Sequence, residues 1–379
     1  MKVGILTLPL WNNYGGILQA YSLRLTVERL GHNAVLIDVQ RDSLDTHIRA
    51  LKQVKRWIKS KVLRIDNQPY YPNSHELKHI SSKPRKFVER KIIPSSGHIP
   101  ISYLSTYAKE LDAIVVGSDQ VWRPEYCPSL EAYFLNFTEK GLRKISYSAS
   151  LGTSDWRFSP KQASQCGSLL KDFHSVSVRE SSAIGLIKQH MNIDVTQVCD
   201  PTLLLEVSDY LEVAGIPDSH SSGGHGIFCY VLDPKEPRMQ GLKEIGKEMS
   251  SEIFYIMPKA FDKNYQKSRK DYVFEPIESW IKAFYKCDFV ITDSFHGCVF
   301  SIIFNKPFVA IANTDRGRTR FESLLAIFNL EERLFSSVKD IDLSILNKPL
   351  DWEKINEIRE NEKKKGFQFL MDSLDICSK

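Results

Sequence analysis

The chain has 379 residues, enough for two or three domains. Its 42% hydrophobic and 26% charged residues exclude intrinsic disorder. Its 51 Lys and Arg against 46 Asp and Glu leave a net charge of +5, too small an excess to imply nucleic acid as a partner. No apolar run approaches the ~18 residues of a membrane span, so the expectation is a cytoplasmic globular protein. Seven cysteines, an odd number with no CxxC pair, agree with a reducing compartment.

In chain order, Val3 to Leu8 reads as a strand, Trp11 to Gly16 as a polar loop and Ile17 to Leu30 as a helix. Ala34 to Val39 then resumes as a strand, completing a βαβ unit. Residues 40–110 read as a helical insertion. From Thr46 to Arg64 this insertion carries seven basic residues and no acidic one, with Leu51, Val54, Ile58 and Val62 on one helical face. That pattern suits peripheral contact with an anionic membrane surface, and equally suits packing on its own domain. Strands are expected again at 112–117, 144–148, 174–178 and 195–199. A small, polar stretch at 219–226 reads as a linker. A second series follows, with strands at 227–232, 252–256, 289–292 and 307–311. The expected architecture is α/β: two Rossmann-like, doubly wound domains (1–218 and 219–350) facing across a cleft. A C-terminal helix at 351–379 would pack back on the first domain. In such sheets ligands bind at the carboxyl ends of the strands, which directs attention to the loops found there.

Asn13, Tyr14, Gly15 and Gly16 open onto a helix N-terminus, where free N–H groups favour an anion; a plain βα turn is as good a reading. Ser118, Asp119 and Gln120 follow a buried strand and offer a base, a donor and an acceptor that suit sugar hydroxyls, with Trp122 as a further acceptor-binding candidate. Asp119 as a helix cap is the simpler alternative. Arg179 presents a rigid donor fork suited to phosphate or carboxylate, against a surface pairing with Glu180. Asp200-Pro-Thr202 reads as a boundary turn. Asp293, Ser294 and His296 occupy a turn into an apolar helix, and imidazole beside Asp and Ser on a strand end suits acid–base chemistry. Arg316, Arg318 and Arg320 put three guanidinium groups in five residues, a cluster that suits phosphate. No metal-ligand spacing is present.

These loops, in this order, resemble the polysaccharide pyruvyl transferase family. The resemblance rests on Asn12-Asn-Tyr-Gly-Gly-Ile-Leu-Gln-Ala-Tyr21, Gly117-Ser-Asp-Gln-Val-Trp122, Ser146-Tyr-Ser-Ala-Ser150, Ser177-Val-Arg-Glu180, Asp200-Pro-Thr202 and Thr292-Asp-Ser-Phe-His-Gly297. It implies a GT-B-like fold and transfer of a pyruvyl group from phosphoenolpyruvate, as co-substrate and without a cofactor, onto two hydroxyls of an oligosaccharide or lipid-linked sugar. It further implies catalytic roles for His296 and Arg179; by residue type, a carboxylate such as Asp119 or Asp293 suits acceptance of the sugar hydroxyl proton. Many members carry Arg two residues before that His, where this chain has Ser294, so a donor-binding guanidinium is expected from Arg316 or Arg318. Two alternatives fit the same fold: a GT-B glycosyltransferase using a nucleotide-sugar, and a non-catalytic carbohydrate-binding protein.

Overall fold

The computed structural model describes residues 1–40, 71–217, 224, 226–236, 238–312 and 317–375. The basic segment at 46–64 and most of the expected linker lie outside the described residues. Strand β1 (Lys2–Leu6) is buried along its last four residues, as a central parallel strand covered on both faces must be. Its chain turns through Asn13, whose side chain accepts from the Gly16 N–H and so caps helix α1 (Tyr14–Arg29). The cap starts the helix three residues before the apolar periodicity does. Eleven of the sixteen residues of α1 are buried; its first half, Tyr14 to Ala20, is enclosed all round, and only its second half, with Arg24, Glu28 and Arg29, keeps an outward face.

After β2 (Asn33–Ile37), β3 (Val39–Gln40) pairs with β4 (Ile99–Pro100) in a separate two-stranded sheet; helices α2 (Ser74–Ile80), α3 (Ser82–Lys91) and α4 (Leu104–Ala108) belong to the same inserted region. Then come β5 (Ala113–Val116), β6 (Arg143–Ala149), α5 (Pro160–Leu170), β7 (Ser175–Val178), α6 (Ser181–Met191), β8 (Thr196–Gln197) and α7 (Val207–Ala214). The second half contains β9 (Ile227–Tyr230), α8 (Arg238–Glu248), β10 (Ile253–Phe254), α9 (Ile277–Lys286), β11 (Phe289–Thr292), α10 (Phe295–Ile303), β12 (Phe308–Ile311), α11 (Arg318–Ile327) and β13 (Leu334–Phe335). The two large sheets run β2-β1-β5-β6-β7-β8 and β10-β9-β11-β12-β13, and their pairings are parallel. Strand order reverses between β1 and β5 in the first sheet and between β9 and β11 in the second. Those reversals are the points where such sheets open a ligand crevice.

The halves share one continuous core, which includes Ile17 and Leu18 of α1, Tyr210 of α7, Trp280 of α9 and Phe300 of α10. Tyr14 is its hinge pin. The ring stacks on Trp280 at 5.8 Å and meets Phe274 edge-on, and its hydroxyl donates to the Glu275 carbonyl at 2.9 Å. Burial pushes its phenol well above the ordinary tyrosine range, which keeps it a donor. The C-terminal helix α12 (Trp352–Leu374) crosses back to the first half. Gly366 packs so closely there that an added Cβ would stand 2.4 Å from the Tyr147 hydroxyl.

Truncating Tyr14 tests this interface. Tyr14→Ala should cost about 3–5 kcal/mol in urea unfolding. Tyr14→Phe, which loses only the hydroxyl contact, should cost about 1 kcal/mol.

Candidate active site

At the first reversal, the loops leaving β1 and β5 are tied together by buried polar groups. The Gln19 amide donates to Thr7 Oγ1 and to the Gly16 carbonyl, while its Oε1 accepts from the Ser118 N–H at 2.8 Å. That bond fixes the turn into Asp119, which sits at φ +66°, a left-handed conformation aspartate tolerates better than most residues. Asp119 Oδ2 accepts from Asn13 Nδ2 at 3.0 Å, and Oδ1 accepts from the Gln120 N–H at 2.8 Å. Asn13, Gly16, Asp119, Glu125 and Tyr126 line an open cavity of about 350 Å³ here.

Behind Asp119 lies a buried charged cluster built from both halves. Arg179 leaves β7, Asp200 follows β8, and His296 enters from the first turn of α10; all three are at most 5% exposed. Asp200 Oδ2 accepts from Arg179 Nη1 at 3.0 Å and lies 3.6 Å from His296 Nε2 and 3.3 Å from Ser118 Oγ. Its Oδ1 accepts from the Thr202 N–H and hydroxyl. Burial alone would raise this carboxyl, but the imidazole, the guanidinium and Thr202 outweigh it and hold Asp200 well below the usual carboxylate range. Arg179 lies over the Phe295 ring at 4.3 Å. Its Nη2 stands 4.0 Å from Asp119 Oδ1, and its Nε 3.9 Å from Glu180 Oε2. Glu180 Oε1 accepts from Ser150 Oγ and from the N–H groups of Leu151 and Gly152, while its Oε2, facing Arg179, has no hydrogen bond. Arg179 Nε and Nη2 and His296 Nε2 have no hydrogen-bond partner. Carboxylate oxygens of Asp119, Glu180 and Asp200 stand 3.6–4.0 Å from these atoms, near enough to attract but too far to hydrogen-bond, so the groups are available to the acceptors of a ligand.

Two glycines permit the convergence. A Cβ on Gly15 would stand 2.1 Å from the His296 ring, and one on Gly297 would stand 2.1 Å from Thr292 Oγ1. The first lets the α1 N-terminus touch the imidazole, and the second lets α10 start directly on β11.

Residues 13–316, most of the chain, match the family model for polysaccharide pyruvyl transferase. The chain belongs to that family. Solved structures with a similar fold include the UDP-GlcNAc 2-epimerase of Neisseria meningitidis (14% identity, TM-score 0.53, 98% of this chain and 99% of that one covered). Another is the UDP-GlcNAc 2-epimerase of Methanocaldococcus jannaschii (14% identity, TM-score 0.50, 95% and 99% covered). At that identity they show the fold alone, a GT-B-like pair of α/β domains. Comparison with curated proteins gives no match. Among the described residues, no helix is long and apolar enough to cross a membrane.

Of the residues expected at the family's site, the fold brings Arg179, Asp119, Asn13, Gly15, Gly16, Ser118 and His296 to this junction. Others are placed elsewhere. Asp293, expected as a base, has both oxygens engaged: Oδ1 by the Leu232 N–H, and Oδ2 by the Asp233 N–H and Arg238 Nη1 at 2.6 Å. It ties the ends of β9 and β11 together. Tyr14, expected at the donor, is held in the interdomain core. Trp122, expected to face a sugar, is fully buried, with its ring on Phe134 at 4.9 Å and its indole N–H on the Tyr133 carbonyl. Gln120 braces Arg123 rather than opening to solvent. Ser294 lies at the N-cap of α10, with its N–H on Thr292 Oγ1. Arg318 points to Glu322 and Ser336, and Arg316 lies outside the described residues.

Sequence reasoning passed over Asp200, read as a boundary turn, and counted Arg320 in the phosphate-suited cluster without singling it out. The surface pairing of Arg179 with Glu180 is also replaced, since both are buried. Gly317 (φ +85°) sits against Gly152, where an added Cβ would be 1.8 Å from the carbonyl oxygen; this brings the first turn of α11 onto the cluster. Arg320 is buried in that turn. Burial and the nearby Arg179 charge push its guanidinium down to about 10, opposed by Asp119, Glu180 and Tyr126. It therefore shares the field of the cluster.

Asp200 gives the pH test. Because its folded carboxyl is depressed, its ionised form stabilises the fold above the ordinary carboxyl range, about pH 4. That contribution is lost as pH falls through the folded value. Asp200→Asn should cost about 3–5 kcal/mol near pH 7. In thermal melts, its gap to the wild type should narrow steadily below pH 4.

Proposed function

We propose that this chain transfers the pyruvyl group of phosphoenolpyruvate onto two hydroxyls of a sugar, in a polysaccharide or its precursor, to form a ketal. The observation that carries this reading is the buried convergence of Arg179, Arg320 and His296, with donors on Arg179 and His296 left without partners. A donor bearing both a phosphate and a carboxylate suits two guanidinium groups. Arg320 supplies the one that the family's arginine at the place of Ser294 would otherwise give. This replaces the expectation of Arg318, whose side chain is engaged on the surface.

The chemistry follows from the residue types. His296, carrying a proton, delivers it to the methylene carbon and leaves an oxocarbenium-like centre at C2. A sugar hydroxyl adds to C2, and Asp119 takes its proton. Phosphate departs with the electrons of its C–O bond, and the second hydroxyl closes the ketal. Of the two hydroxyl protons, one replaces that given to the methyl group and the other leaves with phosphate. These steps use the chain's own side chains and the co-substrate. Asp200 holds Arg179 in line while they occur.

Phosphate release from phosphoenolpyruvate in the presence of acceptor tests the reading. His296→Ala should lower kcat about 10²–10⁴-fold. Arg320→Ala should raise the KM for phosphoenolpyruvate about 10–100-fold, with a smaller change in kcat. Wild-type turnover by His296→Ala would contradict the assignment. So would thermal stabilisation of the wild type by UDP but not by phosphoenolpyruvate.

A further inference from the structure

We infer that the cavity at the carboxyl ends of β1 and β5 is a subsite for an uncharged pyranose, with Tyr126 as its stacking platform and Asp119 and Glu125 as its hydroxyl acceptors. The inference rests on the transferase reading for the role of that sugar, the acceptor, but not for its binding.

Size and wall chemistry carry it. At about 350 Å³ the cavity falls within the ~300–1,000 Å³ of small-molecule sites. One wall is apolar (Leu8, Pro9, Leu10), and the rest offers Asn13 and the two carboxylates. Apolar surface for C–H faces beside acceptors for hydroxyls is what a sugar ring requires. No Lys, Arg or His lines the cavity. The two carboxylates are paired from outside the cavity, Glu125 with Arg123 at 3.5 Å and Asp119 with Arg179 at 4.0 Å, so no cation among the lining residues is left to hold an anion and a neutral polyol fits better.

Tyr126, not the expected Trp122, presents an aromatic ring to the cavity. Where Trp122 is fully buried, Tyr126 is 42% exposed and lines the cavity. Its ring is held by Arg123, whose guanidinium carbon lies 4.2 Å from the ring centroid. Arg123 is itself fixed by Gln120 Oε1 at 3.0 Å and by Glu125 at 3.5 Å. A ring backed by a fixed cation costs little entropy when a sugar settles on it.

Saturation-transfer NMR, with no phosphoenolpyruvate present, tests this using methyl β-D-glucopyranoside, galactopyranoside and mannopyranoside at millimolar concentration. At least one should show saturated ring protons with the wild-type protein. Tyr126→Ala should weaken that glycoside about tenfold, and Tyr126→Phe should stay within about twofold. Methyl β-D-glucuronide should bind more weakly than the glucoside. The proposal is overturned if none of the neutral glycosides binds the wild type, if Tyr126→Ala binds as well as the wild type, or if the glucuronide binds as tightly as the glucoside. Because the donor is absent, these results stand apart from the phosphate-release assay: loss of sugar binding in Tyr126→Ala supports the subsite even if His296→Ala sinks the transfer chemistry.

Discussion

Asp200 is a carboxylate enclosed by protein, and a charge in that setting persists only when donors surround it. It has them on three sides: Arg179, Thr202 and, at a longer 3.6 Å, the imidazole of His296. Arg179 and Thr202 belong to the first half of the chain and His296 to the second. The same carboxylate therefore aims the guanidinium and faces the imidazole, so the geometry of the site depends on how the halves are docked. The docking is in turn secured by Tyr14 in the aromatic core and by Gly15, which lets α1 lie directly against the His296 ring.

Charge divides this region into two compartments. On one side Arg179 stands against Asp119 and Glu180, and the buried Arg320 shares its field, its repulsion by Arg179 opposed by Asp119 and Glu180. On the other side lies an open cavity walled by carboxylates, an aromatic ring and aliphatic side chains. An anionic co-substrate and a neutral polyol would sort themselves between these compartments without any moving part. Asp119 stands on the boundary, where the proposed transfer needs a group that takes a hydroxyl proton.

Much of the fold was legible in the sequence because its signal is local. Buried parallel strands are short apolar runs, and Phe289–Thr292 falls where the pattern puts it. The strands β8, β10 and β13 are two residues each, too short for periodicity to delimit. The site was legible only to the level of its loops. Asp200 reads as a turn because its partners come from β7 and α10, far along the chain. Trp122 and Tyr126 are four residues apart in an irregular loop, and only packing decides which ring is buried. Asp293 looked free because the backbone N–H groups that occupy it belong to the loop after β9. Arg320 was hidden in a cluster of three arginines, and it is Gly317 resting on Gly152 that brings its turn onto the site.

The account is tested most directly by the structure of the protein in complex with phosphoenolpyruvate. It predicts donor oxygens within hydrogen-bonding distance of Arg179 Nη2 and His296 Nε2, with Arg320 on the same anion. A donor seated among Asp119, Glu125 and Tyr126, or at the loops after β9 and β11 with the Arg179–Asp200–His296 cluster untouched, would contradict it.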